Sequence, residues 1–525
     1  MAKVLEPVDT VVVGTGAAGS LMAAVLAEGG KSVVVLERGK ARKMEDLYSS
    51  QIWARRLKWG SPHVADAGPD SIWFNFNAGH GYGGAAIHHY AVWPRYHEDD
   101  FEENSRYGRS LDWPFSYDEL RPYYDQVQEE VGMAGDAEKE IWRPPGDPYP
   151  LPPVLVSNHG QVLARGFEAM DMHTAPIPMA ILTRPYKGRP ACIWDGWCDA
   201  GCPIGALANP LAIYLPRAQK AGARLQPNAH VTRVMMDKSG KKATGVEYYT
   251  PEGEAFIQPA KAVVLCAFTV ENSRILLNSA DSNHPNGVGN SSETLGRYLM
   301  AHPAIGVTGL FDEDMQNYLG ATGGQLLSQD MFDKKGDPNG AFGSRQWEIG
   351  LALKPNDMLG IGMTRPDIFG AKLEAFMQDG ARHMGSMVGV CEDEPLITNR
   401  IELSSQKDAF GFPLAKVVYE MSAEGRKLWQ TAAKEGVDIF KAAGAREAWH
   451  GPPGGQHIMG GTIMGKDPAS SVLNGHGQAH DVDNLFVGGP GVFPTSSSIN
   501  STFTAKAMAM KSARYMVDNW SALSG

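Results

Sequence analysis

The chain has 525 residues, 43% of them hydrophobic and 20% charged, a globular composition that excludes a disordered or fibrous protein. Its net charge of −11 argues against a general nucleic-acid surface, and no apolar window is long enough for a membrane-spanning helix. The length suits roughly three or four average domains, or one enzyme made of two interleaved ones.

Residues 9–15 read as a short buried strand running into glycine. Gly14, Gly16 and Gly19 follow in G-x-G-x-x-G spacing, then a helical run over 20–28 and a second strand over 32–36 that ends before Glu37. This β-α-β pattern binds a dinucleotide. Gly14 permits the tight turn, Gly16 lets the backbone approach a pyrophosphate, and Gly19 allows close helix packing. The helix N-terminus would face the diphosphate, and Glu37 would accept hydrogen bonds from the adenosine ribose. A fingerprint at the start of so long a chain favours FAD over NAD. A second glycine loop, Gly81-Tyr-Gly83-Gly84, leads to the pair His88-His89.

Residues 142–153 contain six prolines and read as an extended connection. Of five cysteines, Cys192, Cys198 and Cys202 fall within eleven residues, as C-x5-C-x3-C-P, while Cys266 and Cys391 stand apart. That is no disulfide framework for a protein of this size. Clustered thiolates point to an iron–sulfur cluster, of the 3Fe–4S type or of the 4Fe–4S type with Asp195 or Asp199 as fourth ligand. Zinc is the rival, although a closed zinc site needs four ligands and no histidine is near. A remnant motif of reduced, buried thiols is the plainer reading. Trp73, Trp93, Trp194 and Trp197 could stack on a sugar or a phenol, with packing as the plainer role.

His230–Met236, 242–249 and 262–267 read as strands joined by turns at Lys238-Ser239-Gly240 and Pro251-Glu252-Gly253. Further strands are expected at 349–353 and 399–403, and a helix over Ala423–Ala442. Near the end stand His457-Ile-Met-Gly460-Gly461-Thr462, then Asn484-Leu-Phe-Val-Gly488-Gly489, Pro494-Thr495 and Ile499-Asn500-Ser501-Thr502.

Together with residues 9–39, these motifs resemble the glucose–methanol–choline (GMC) oxidoreductase family of flavoproteins. Within it, the chain looks most like the catalytic subunits of bacterial FAD-dependent sugar and polyol dehydrogenases. The resemblance implies an α/β protein: a Rossmann-like FAD domain (1–100, 205–310, 455–525) interleaved with a substrate domain (101–204, 311–454) on a mostly antiparallel sheet. It implies flavin contacts from Gly14, Gly16, Gly19, Glu37, Gly83, Gly84, His88, Val231, Gly488, Gly489, Asn500, Ser501 and Thr502. Pyranose oxidases in the family attach FAD covalently at the spacing of His88, and many relatives hold it without that bond. The chain departs from the pattern at Ala85-Ala86, at His89 and at Glu271-Asn272-Ser273, which leaves the substrate class open.

In the resemblance, His457 is the base that takes the hydroxyl proton of an alcohol, and Asn500 orients the substrate oxygen. His302, before Pro303, reads as structural. Related sugar dehydrogenases carry an iron–sulfur cluster on cysteines of this spacing, with one more cysteine where this chain has Ile193. Their electrons pass to a cytochrome or quinone, often through a small partner subunit. An oxidase that makes peroxide and a non-catalytic flavin subunit are the alternatives. The chain shows no signal segment, so a cytoplasmic location is expected, with export alongside a signal-bearing partner as the alternative.

Overall fold

Val8–Val13 is rich in β-branched residues because it is central in a parallel sheet, flanked by Val33–Leu36 and by Ala255–Leu265. Arg224–Gln226 extends that sheet on one side and Leu485–Val487 joins it on the other. The computed structural model describes residues 2–58, 65–70, 72 and 78–524. Ala255–Leu265 has two roles. Its second half runs parallel to Val8–Val13, and its first half pairs antiparallel with Ala243–Tyr249, which pairs in turn with His230–Met236. This strand begins earlier than expected, because its front half is partly polar and reads like a turn. The helix Ala17–Glu28 covers the parallel sheet, and its residues from Ala18 to Ala27 are buried.

A second sheet is antiparallel, in the order Glu447–His450, Met300–Leu310, Met384–Cys391, Arg345–Ile349, Leu326–Ser328 and Ala175–Pro176. Gly454–Met459 also pairs with Met300–Leu310, so both of these strands lie in this sheet. The helix Ala423–Ala442, found where the periodicity places it, packs Leu428, Ala432, Ile439 and Phe440 into the core beneath the sheet. The strand expected at 349–353 is instead Arg345–Ile349, and Gly350, at φ +77°, ends it. Its Arg-Gln-Trp-Glu-Ile sequence is polar at alternate positions, yet all five residues are buried. The strand expected at 399–403 is Arg400–Lys407, in a small third sheet with Pro413–Val418 and Ala65–Asp66. Among the described residues, no helix is long and apolar enough to cross a membrane.

Next to the antiparallel strand Met384–Cys391 lies a fully buried ion cluster. Lys334 Nζ lies 2.7 Å from Asp100, 3.0 Å from Glu103 and 2.7 Å from Glu392. Three carboxyls around one ammonium would leave excess negative charge, so one must hold a proton. Burial and the neighbouring Glu392 push Glu103 well above the usual carboxylate range. Burial also acts upward on Glu392, but Lys334 outweighs it and holds that carboxyl below its ordinary value. The proton therefore belongs to Glu103. Removing the ammonium would strand buried carboxylates, so Lys334→Met is expected to cost about 3–5 kcal/mol in urea unfolding. A loss under 1 kcal/mol would show that the cluster reorganises without it.

Candidate active site

A cavity of about 410 Å3 opens beside the C-terminal ends of the parallel strands and reaches across to the antiparallel sheet. Val13 to Ala18, Glu37, Gly84, His88, Val231, Gly488, Gly489 and residues 500–502 line it, as do Glu348 and His457. Of the expected flavin contacts, Gly19 and Gly83 alone are not in the lining. Gly19 backs the turn, where a Cβ would lie 2.1 Å from Gly14 O, and a Cβ on Gly83 would meet Ile87 at 2.2 Å. At Gly16, by contrast, a Cβ would meet nothing within 4 Å. That open face, at the N-terminus of Ala17–Glu28, is the room a pyrophosphate needs. The N-terminus of a second helix, Ser501–Asp518, also lines the cavity. The residues fit a dinucleotide flavin.

Glu37 does more than face the cavity. One carboxylate oxygen accepts from Thr15 N and Oγ1 (3.1 and 2.6 Å), and the other from Gly39 N and Gly81 N (2.9 Å each). A carboxylate has about four acceptor positions. All are engaged within the protein, so Glu37 clamps the two glycine loops together, and a ribose would have to share it. His89 is satisfied by Ala208 O and Ala91 N, while His88 is buried in the cavity wall.

His457 owes its position to a β-bulge. In the pairing of Met300–Leu310 with Gly454–Met459, Ala301 faces Ile458 and His302 faces Gln456, which leaves His457 as the extra residue. Its φ of +54° is rare for a non-glycine residue, and bulges turn side chains in this way beside active sites. His302 Nδ1 lies 3.0 Å from His457 Nδ1, and His302 Nε2 lies 3.1 Å from Ser496 O. A carbonyl can only accept, so His302 Nε2 carries the hydrogen. Burial holds His302 near a pKa of about 4, and burial together with His302 takes His457 to about 3, so both rings are neutral at pH 7. His302 Nδ1 is then bare and accepts from His457 Nδ1–H. His457 Nε2 is left as a lone pair, the form a general base requires.

Asn500 immediately precedes the helix Ser501–Asp518, a place where asparagine usually caps, yet its side chain makes no capping bond. It is held by the strand Arg345–Ile349 instead. Gln346 Nε2 donates to Asn500 Oδ1 at 2.7 Å, and Asn500 Nδ2 donates to Glu348 Oε1 at 2.8 Å. Behind Gln346, Gln329 Nε2 donates to Gln346 Oε1 at 2.9 Å, and His97 Nε2 lies 3.1 Å from Gln329 Oε1. The chain of amides runs in one direction and turns Asn500 so that its NH2 has one hydrogen left.

The cysteine loop converges. Cys192 and Cys202 both act electrostatically on Cys198, and Cys202 on Cys192, while Asp195 acts on Cys192 and Cys202. Asp199 turns to Lys354 at 3.6 Å. Backbone N–H groups of Trp194, Thr322 and Leu207 point at the three sulfurs, at 3.3, 3.5 and 3.4 Å. Burial raises all three thiols, Cys192 to about 11 and Cys198 to about 12. The sulfurs do not all fall within 4.8 Å of one another, wider than ligands of one zinc ion at about 2.3 Å each. Ile193 is 65% exposed. Of the tryptophans, Trp93 is core and stacks on Phe503, Trp197 lies under Lys354, and Trp73 falls outside the described residues.

Sequence reasoning missed three participants. His302 read as structural, and Gln346 and Glu348 were not singled out. The available signal was the alternation of Gln346 and Glu348 with Trp347 and Ile349, which puts both polar side chains on one strand face.

Family models described as GMC oxidoreductase match residues 8–304 and 395–509. The fructose dehydrogenase large subunit of Gluconobacter japonicus is 30% identical over 96% of this chain and 97% of its own. The 2-methyl-1,2-propanediol dehydrogenase of Mycolicibacterium austroafricanum is 32% identical over 97% of this chain and 95% of its own. In the solved structures, a formate oxidase superposes with a TM-score of 0.72 over 99% of both chains at 15% identity, a likeness of fold.

His302→Leu removes the acceptor that sets the His457 tautomer. Flavin reduction by substrate is expected to slow on the order of 10²-fold, with flavin content unchanged. An unchanged rate would make His302 a packing residue.

Proposed function

Because the chain belongs to the GMC oxidoreductase family and is an FAD-dependent oxidoreductase acting on alcohols or sugars, we propose that His457 and Asn500 together hold and deprotonate the reacting hydroxyl. We further propose that electrons leave through an iron–sulfur cluster on Cys192, Cys198 and Cys202. Bound FAD supplies the hydride acceptor. Gly14, Gly16 and the helix start at Ala17 would hold its diphosphate, and residues 500–502 would close the other side.

The carrying observation is the opposite polarity of the two side chains. His457 Nε2 accepts and the remaining Asn500 N–H donates. A substrate hydroxyl has one hydrogen to give and lone pairs to receive with. Placed between them, it donates to His457 and accepts from Asn500. As negative charge grows on the oxygen, the Asn500 bond strengthens and the proton moves to His457 Nε2. His302 can follow that charge, because its ring accepts the hydrogen bond from His457 Nδ1.

For the electron exit, three converging thiols with N–H donors and a spread too wide for one zinc ion support a cluster. With three cysteines, the 3Fe–4S type suits the loop, and Asp195 is the neighbouring carboxylate. A cluster would accept electrons singly and hand them to a cytochrome or quinone, directly or through a small subunit.

Anaerobic screening of alcohols for flavin bleaching tests the chemistry. With a substrate in hand, His457→Ala is expected to slow bleaching on the order of 10²–10⁴-fold while retaining FAD. Iron and acid-labile sulfide assays test the exit: anaerobically prepared protein without stoichiometric iron would remove the cluster. Cys198→Ser should then abolish cytochrome reduction and spare bleaching. Rapid turnover with oxygen in the absence of any cluster would instead establish an oxidase.

A further inference from the structure

Glu348 is a buried carboxyl, 5% exposed, in the wall of the reaction cavity, and no role has yet been given to its second oxygen. Oε1 accepts from Asn500 Nδ2. Oε2 has no hydrogen-bond partner among the described residues, and it is not among the polar atoms sealed from the cavity without one. Among the described residues, no lysine or arginine forms an ion pair with the group. Burial pushes its pKa up to about 7, and only the Asn500 bond opposes that. An unpaired buried carboxyl is costly to keep, which points to a ligand that completes it.

Its position narrows the ligand. The Asn500 amide that would hold the reacting oxygen is the same amide that Glu348 holds, so the carboxyl stands one hydrogen bond further along the cavity wall. Oxygens on neighbouring carbons of a polyol have that kind of separation. Once ionised, above its pKa of about 7, the carboxyl is an acceptor and takes a hydrogen. We propose that Glu348 Oε2 accepts a hydrogen bond from the hydroxyl on the carbon next to the one oxidised, and that the enzyme thereby selects 1,2-diols and polyols over simple alcohols. This rests on the assignment of His457 and Asn500 to the reacting hydroxyl. The fructose and 1,2-diol names of the two relatives are compatible with it.

The test compares anaerobic flavin bleaching by propane-1,2-diol, propan-1-ol and 1-aminopropan-2-ol in the wild-type holoenzyme and in Glu348→Gln. The second-order rate constant for the diol is expected to exceed that for propan-1-ol. In Glu348→Gln the ratio of the two should fall on the order of 10- to 100-fold, the worth of one hydrogen bond to a charged group. The ratio isolates the second hydroxyl from any general disturbance of Asn500. Should Glu348→Gln lose its flavin, Glu348→Asp retains the charge but withdraws it by one methylene, and the same fall is expected there. An unchanged ratio overturns the proposal while leaving alcohol oxidation intact. A fall confined to the amino alcohol also overturns it, because the carboxylate would then be an ammonium site. Bleaching by none of the three would count against the hydroxyl-holding role of His457 and Asn500 as well.

Discussion

A backbone carbonyl can accept a hydrogen bond but never donate one, and at Ser496 that asymmetry sets the protonation pattern of the His302–His457 pair. Ser496 O receives His302 Nε2 and Tyr96 OH, and from there the order of donors and acceptors passes through one imidazole, His302, to His457. The order holds only while the carbonyl stays where it is. Thr495, Ser496, Ser497 and Ser498 are fully buried. Their hydroxyls are tied to Trp113, Asp100, Asp393 and Ser344. Asp100 is in turn one wall of the Lys334 cluster. Charge, strap and base form one connected network.

This explains why so much polarity is tolerated in the interior. A buried ammonium among three carboxyls gains little stability over apolar packing, since desolvation takes back most of the attraction. What it provides is a single geometry. The same applies to the amide chain from His97 to Glu348, where each group fixes the orientation of the next. Two elements that supply one side chain each, His457 from the antiparallel sheet and Asn500 from the start of the helix Ser501–Asp518, need such cross-links to keep the pair in register.

The flavin cradle was legible in the sequence because glycine is required there for physical reasons: Gly14 at φ +100°, and Gly19 against Gly14 O. His457 and Asn500 were legible through their motifs, and the helix Ala423–Ala442 through its periodicity. The rest was hidden by tertiary context. Arg345–Ile349 looks like a half-solvated strand, since nothing local says that its polar face meets Asn500, some one hundred and fifty residues away. The bulge at His457 depends on the register of a distant partner strand. Glu37 carries the expected acidic side chain, but only the fold shows that two glycine loops already occupy it. The cysteine spacing announced a cluster of thiols, whereas the N–H groups that aim at the sulfurs come from Trp194, Thr322 and Leu207.

The strand order of the parallel sheet bears on how the protein is made. Val8–Val13 precedes its sheet neighbour Ala255–Leu265 by some two hundred and fifty residues, and Leu485–Val487 must join that strand's other side. Such contacts close long loops and form late. The helix start at residues 500–502, which lines the same cavity as the fingerprint glycines, is made later still. A nascent chain therefore exposes those glycines with an unfinished cavity around them until residues 500–502 have emerged. A chain terminated before residue 500 would lack that cavity wall.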